Sequence, residues 1–242
     1  MNLRTRAALV VAAAVLGAGT LGCGIVSKAK QAVDNVSAIS DLADKLGKSD
    51  QLTYAGDYKL DDGTSVTVVQ QPPKAAFISK KGRFILTEDA LLLCDTQNGK
   101  WTCQRTPNQS NVSASADQAA YMSAIAGGGF INAPMAVALM TAAAVVPGTK
   151  IEKSEKKIAG LQSTCLRVTG IPADKDPSAV TAKEFTVCVA DNGVLTTFSG
   201  IGTDDKKVGV ELTKFATNVD AKSFAAPAGA KIVDVETIDP AK

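Results

Sequence analysis

The tightest constraint on the fold is the placement of four cysteines around turn signals. Asn98-Gly99 is a strong two-residue hairpin signal, because the favoured turn needs positive φ at both central positions. Set at the turn, these residues pair Gln97 with Lys100, Thr96 with Trp101 and Asp95 with Thr102. Cys94 then falls opposite Cys103, at a non-hydrogen-bonded pair, where facing side chains come closest. Four cysteines allow three pairings, and register selects this one, leaving Cys165 with Cys188. Those two sit in strand-like runs, 161–169 and 183–190, whose midpoint lies between Asp176 and Pro177, so an antiparallel pair again sets them opposite each other. A redox-active dithiol is disfavoured, since no Cys-x-x-Cys spacing occurs.

The fifth cysteine, Cys23, is the odd one out, and the residues before it have the order of a secretory leader. Arg4 and Arg6 form a charged start, and an apolar run of 13 residues, 7–19, follows. Such a run is too short to span a bilayer and suits a signal peptide. Thr20-Leu21-Gly22-Cys23 resembles a lipobox, the site of diacylglyceryl transfer to cysteine. Gly22 and Cys23 fit that pattern, while Thr20 and Leu21 depart from it. The alternative is an ordinary signal peptide with a stray cysteine near its cut; the cysteine arithmetic favours the lipobox. Lipid on Cys23 with two acyl chains suffices for stable attachment, which places the chain on the extracytoplasmic side of the cell membrane, where disulfides persist.

Composition then removes several function classes. Histidine is absent. That takes away the usual general base near neutral pH, the Ser-His and Cys-His pairs, and the commonest transition-metal ligand. No enzyme, metal or cofactor is expected. Asp61-Asp62 and Asp204-Asp205 are paired carboxylates, but both read as solvated turn residues. Without the leader the chain has 24 basic and 24 acidic residues, since Arg4 and Arg6 account for two of the 26 basic ones. The basic residues are scattered and not interleaved with aromatics, so nucleic acid is not an expected partner.

Along the chain, residues 28–47 read as an amphipathic helix with Val33, Val36, Ile39, Leu42 and Leu46 on one stripe. Residues 51–106 read as a meander, with Asp62-Gly63 as a hairpin turn and Pro72-Pro73 as a break that implies an edge or bulge. Apart from Asp117, residues 112–149 carry no charge. Two short helices are expected there, divided by Gly127-Gly128-Gly129, the second starting at Pro134 and reaching Val146. Each is too short to cross a membrane. An uncharged helix must be buried against something, either as ordinary core or as the roof of an apolar cavity. On the second reading Tyr121, Met122, Ile125, Phe130, Ile131, Met135, Leu139 and Met140 line the cavity. Strands return over 150–157, 161–169, 183–190, 194–201 and 207–214. The order of helix, meander, helices, meander gives an α+β class, with helices gathered on one face of an antiparallel sheet.

This order, with Val210-Glu211-Leu212-Thr213-Lys214-Phe215, Asn218-Val219-Asp220, Phe224 and Pro227-Ala228-Gly229-Ala230-Lys231 near the end, resembles the LolA/LolB superfamily of lipoproteins, of the actinobacterial LppX/LprG type. Ala226 stands where the family often has a proline. The resemblance implies a curved antiparallel sheet, an incomplete barrel, with the N-terminal helix and the central helices on its concave face. It divides the chain into a signal peptide (1–22), a lipidated tether (23–27) and a LolA-like lipoprotein domain (28–242). It further implies a cell-envelope protein that binds or transfers lipid, palmitate-like acyl chains included, in an apolar cavity. The alternative is a sensor or protein-interaction lipoprotein with a filled cavity and no lipid cargo.

Overall fold

The structure, a computed structural model, describes residues 23–107, 130–144, 146, 148–171, 182–202 and 205–235, with side chains from Asn35 onward. The leader, the first of the two uncharged helices with Tyr121, Met122 and Ile125, the triple glycine and Asp204 lie outside the described residues.

The first half is a helix and a meander. Helix α1 spans Cys23–Lys48, so the residues read as a tether already have helical backbone. Ile39, Leu42 and Leu46 recur at helical spacing and are buried, whereas Val36, on the same stripe in the sequence, is 51% exposed. Lys45 and Lys48 close the last turn, where cations suit the helix dipole. The meander follows as β1 (Tyr54–Leu60), β2 (Ser65–Gln71), β3 (Lys74–Ser79), β4 (Gly82–Leu86), β5 (Ala90–Gln97) and β6 (Lys100–Pro107). Asp62 fixes the first turn, its Oδ1 accepting the Thr64 N–H at 2.8 Å. Pro72-Pro73 breaks the run between β2 and β3, as the sequence predicts, but the break is neither an edge nor a bulge. It is the turn itself, with Gln71 paired to Lys74 on either side. A turn centre needs no ladder N–H, so two prolines cost the sheet nothing there.

The second half is α2 (Ala133–Ala144) and a second meander of β7 (Lys150–Ile158), β8 (Leu161–Thr169), β9 (Ala182–Ala190), β10 (Leu195–Gly202) and β11 (Lys207–Ala216), followed by β12 (Lys231–Asp234). Asn132 caps α2, its Oδ1 accepting the Met135 N–H at 2.9 Å. All twelve strands join one open sheet in the order β12-β6-β5-β4-β3-β2-β1-β11-β10-β9-β8-β7. The two meanders meet at an antiparallel seam, from Ala55 opposite Ala216 to Leu60 opposite Val210. Every pairing is antiparallel except β12 on β6, where Lys231 to Asp234 run parallel to Thr102 to Arg105. Arg105 clamps that edge with Nε and Nη2 on the Asp234 carboxylate at 2.6 and 3.0 Å.

Both disulfides form where register places them. Cys94 lies opposite Cys103 and Cys165 opposite Cys188, each with Cα atoms 4.0 Å apart. Asn98 and Gly99 take φ of 52° and 75°, as the turn requires.

Strand alternation separates two apolar clusters. One joins Ile39, Leu42 and Leu46 of α1 and Ala136, Met140 and Ala143 of α2 to side chains from both meanders, such as Tyr58, Phe77, Val187 and Leu212. The other joins Val69, Ala76, Ile85, Leu92 and the first disulfide to the tail residues Val219, Phe224, Ala226 and Ala230. The C-terminal end of α1 is pinned to the β9–β10 turn. Lys45 Nζ donates to Asp191 at 2.9 Å and to the Thr164 hydroxyl at 3.1 Å, and Gly193 packs against the Lys45 carbonyl.

Candidate ligand cavity

A cavity of about 670 Å³ opens between α2 and the outer ends of β9, β10 and β11. Its roof comes from the cap and exposed turns of α2, through Ile131, Met135, Ala138 and Leu139. Met135 and Leu139 lie four residues apart and Ala138 three after Met135, so these three share one helical stripe, with Ile131 just before the Asn132 cap. The helix has alanine and methionine where bulkier residues would close the gap, and methionine adapts readily to irregular apolar contents.

The floor follows from register. Phe198 on β10 stands between Val187 and Val210 and closes the packed interior. The next row outward is Phe185, Gly200 and Val208. The last is Ala182, Gly202 and Lys206, with the Gly202 N–H donating to the Lys206 carbonyl at 2.8 Å. Side chains two apart on a strand share a face, so Phe198, Gly200 and Gly202 all face the same way. The two glycines leave space where a side chain would fill it; a Cβ on Gly200 would already touch Phe185 and Phe198 at 3.4 Å. Glycine here is a matter of room, since its φ is not in the left-handed region.

Of the side chains expected to line a cavity, Ile131, Met135 and Leu139 line this one. Phe130 turns into the packed core, edge-on to Phe77 at 4.6 Å and to Tyr58 at 6.2 Å between ring centroids. It borders a smaller hollow of about 160 Å³ with Tyr54 and Tyr58. Met140 is fully buried in the core beside Ala136 and Ala143. Tyr121, Met122 and Ile125 lie outside the described residues. The floor residues were missed by sequence reasoning. The signal was the alternation Phe198-x-Gly200-x-Gly202, since glycine inside a strand marks a close approach or a gap.

The cavity is apolar. Lys206, exposed at the rim, is the one charged side chain among its described lining residues. Beneath Phe130, burial pushes the Tyr54 hydroxyl up to about 12, and burial likewise raises Tyr58 well above the usual range. The Tyr58 hydroxyl donates to the Leu195 carbonyl at 2.9 Å, tying β1 to β10. A shallow groove elsewhere holds Asp61, Glu184, Arg167 and Lys207. Its charges are partly neutralised, with Arg167 Nη2 3.1 Å from Glu184 Oε2. Among the described residues, no cluster of three or more acidic or cysteine side chains is placed to hold a metal ion. Among them, no helix is long and apolar enough to cross a membrane.

No protein-family model matches the chain, and no protein of curated function matches it in sequence. Among solved structures, an uncharacterized conserved protein from Thermus thermophilus is similar at 8% identity and a TM-score of 0.45, over 82% of this chain and 99% of that one. The hypothetical protein CT021 from Chlamydia trachomatis is similar at 8% identity and a TM-score of 0.33, over 73% of this chain and 92% of that one.

Proposed function

We propose that this chain is an extracytoplasmic lipoprotein of LolA/LolB type that is clipped before Cys23, held to the membrane by lipid on that cysteine, and binds acyl chains between α2 and the sheet. The helices then occupy the concave face of the curved sheet, and the role is physical: the protein buries hydrocarbon and performs no covalent chemistry. The observation that carries this reading is the cavity of about 670 Å³ with apolar walls, inside the roughly 300–1,000 Å³ range of small-molecule sites. The cysteines add support for the compartment. Four of the five form two disulfides, which leaves Cys23 for the anchor.

Native mass spectrometry of the protein purified from membranes tests the reading. Co-purifying lipid, or one-to-one uptake of a fluorescent fatty acid by delipidated protein, is the expected result. Absence of both sinks the carrier role. The variant Leu139→Trp, which places an indole in the roof, should reduce uptake at least tenfold.

A further inference from the structure

We infer that Phe198 is the chain stop of this cavity: a tail enters at the outer strand ends, passes Gly202 and Gly200, and rests its methyl end on the Phe198 ring. The inference rests on the acyl-binding reading and adds to it a limit on how much of one tail is taken in.

The path is built into β10. Phe198, Gly200 and Gly202 lie two residues apart on one face, and all three line the cavity. Gly200 has no spare room at its flanks. An added Cβ would already touch the Phe185 Cβ and the Phe198 ring at 3.4 Å, so a longer side chain there must rise into the cavity. Phe198 is the position where glycine gives way to a full ring. It is 2% exposed and stacks on Phe185, with ring centroids 6.0 Å apart and 18° between planes. Its register partners Val187 and Val210 are fully buried members of the main core cluster. Inward of the ring, the space is therefore filled by packed side chains.

The length of the path follows from the strand. From Gly202 to Phe198 is four residues, about 13 Å at about 3.3 Å each. An extended chain advances about 1.2 Å per bond, since three bonds span the roughly 3.5 Å of one extended residue. The path thus takes about ten methylenes of a straight tail. The volume of about 670 Å³ has room for roughly twenty water-sized groups. Depth, and not volume, therefore limits a straight tail, and the surplus is width.

Displacement of a fluorescent fatty acid from the delipidated chain by straight carboxylates of six to sixteen carbons reads this limit. Each added methylene should raise affinity about fourfold, the worth of one buried methylene, up to about ten carbons. Beyond that the series should be flat. Phe198→Leu keeps an apolar core residue but shortens it, and should move the plateau outward by about two carbons. Gly200→Val, a β-branched residue suited to a strand, should move the plateau inward by a similar amount and weaken decanoate at least about tenfold. Photolysis of decanoate carrying a terminal diazirine should label Phe198 rather than Ala182 or Ile201. An affinity that keeps climbing to sixteen carbons in the parent protein, a plateau unmoved in Gly200→Val, or labelling confined to Ala182 and Ile201 would overturn the chain stop and leave the acyl cavity standing. Failure of the fluorescent fatty acid and of every carboxylate to bind would overturn the acyl-binding reading itself.

Discussion

Replacing Gly193 with alanine should be far more damaging than replacing other turn glycines, and the structure says by how much. Gly193 has φ of +95°, a region that costs an L residue about 1–2 kcal/mol. A Cβ there would also lie 2.3 Å from the Lys45 carbonyl oxygen in the last turn of α1 and 3.0 Å from the Ser49 nitrogen just after it, both backbone atoms. Neither can swing away as a side chain would, so the helix end must retreat by about 1 Å to regain the 3.4 Å of ordinary contact. That end carries Leu42 and Leu46, which are 1% and 2% exposed. A gap of this size forfeits a quarter to a half of the dispersion energy of the contacts that face it. Added to the lost bonds of Lys45, the cost should be about 3–5 kcal/mol, in the range of a large-to-small core substitution. Gly63 is the control, with φ of +81° and nothing within 4 Å of an added Cβ; Gly63→Ala should cost only the backbone share. Urea unfolding with disulfides intact measures both. If Gly193→Ala falls within 1 kcal/mol of Gly63→Ala, the helix end is not held against this turn as described.

Three further predictions concern the staples, the buried phenols and the anchor. Replacing both cysteines of a bridge by alanine should cost about 2.7 kcal/mol for Cys94–Cys103 and about 3.5 kcal/mol for Cys165–Cys188, because their sequence separations are 9 and 23; chemical denaturation of each double variant reads the difference. Tyr54 binds its proton more tightly in the folded protein, with its hydroxyl pushed up to about 12 against about 10 unfolded. Its contribution is thus fully present below pH 10 and is lost as pH rises through 12, a fall of about 3 kcal/mol; unfolding measured across that window in the parent and in Tyr54→Phe should show a shallower fall in the variant. If lipid on Cys23 anchors the chain as proposed, the parent protein should fractionate with membranes and Cys23→Ser should move to the soluble fraction; equal partitioning of the two would refute that anchor.

How much of this was legible in the sequence depends on the range of the interaction that decides each feature. The Cys94–Cys103 register was readable to the residue because the Asn98-Gly99 turn fixes it within ten residues. The second bridge was readable by symmetry alone. Pro72-Pro73 misled, since two prolines signal interruption but do not say whether the interruption is a bulge or a turn. Val36 followed the helical period yet lies exposed, because the period fixes a stripe and the neighbours fix how much of it is covered. The seam between β1 and β11 and the parallel docking of β12 were not legible. Their partners are separated by more than a hundred residues, and a four-residue strand carries too little pattern to name a mate. The roof of the cavity stood out as an uncharged stretch, whereas its floor is defined by side chains that glycine lacks.

The seam has a consequence for how the molecule must be assembled. β1, made among the first strands, finds its second neighbour only when β11 exists, and β6 gains its covering strand only from residues 231–234. Until then each half-sheet presents bare backbone donors and acceptors, the state most prone to pairing with other chains. Contacts this distant in sequence are slow to form. Synthesis cut short before residue 207 would therefore leave one chain with open sheet edges in place of a smaller working protein, so the strands between 207 and 234 close the assembly.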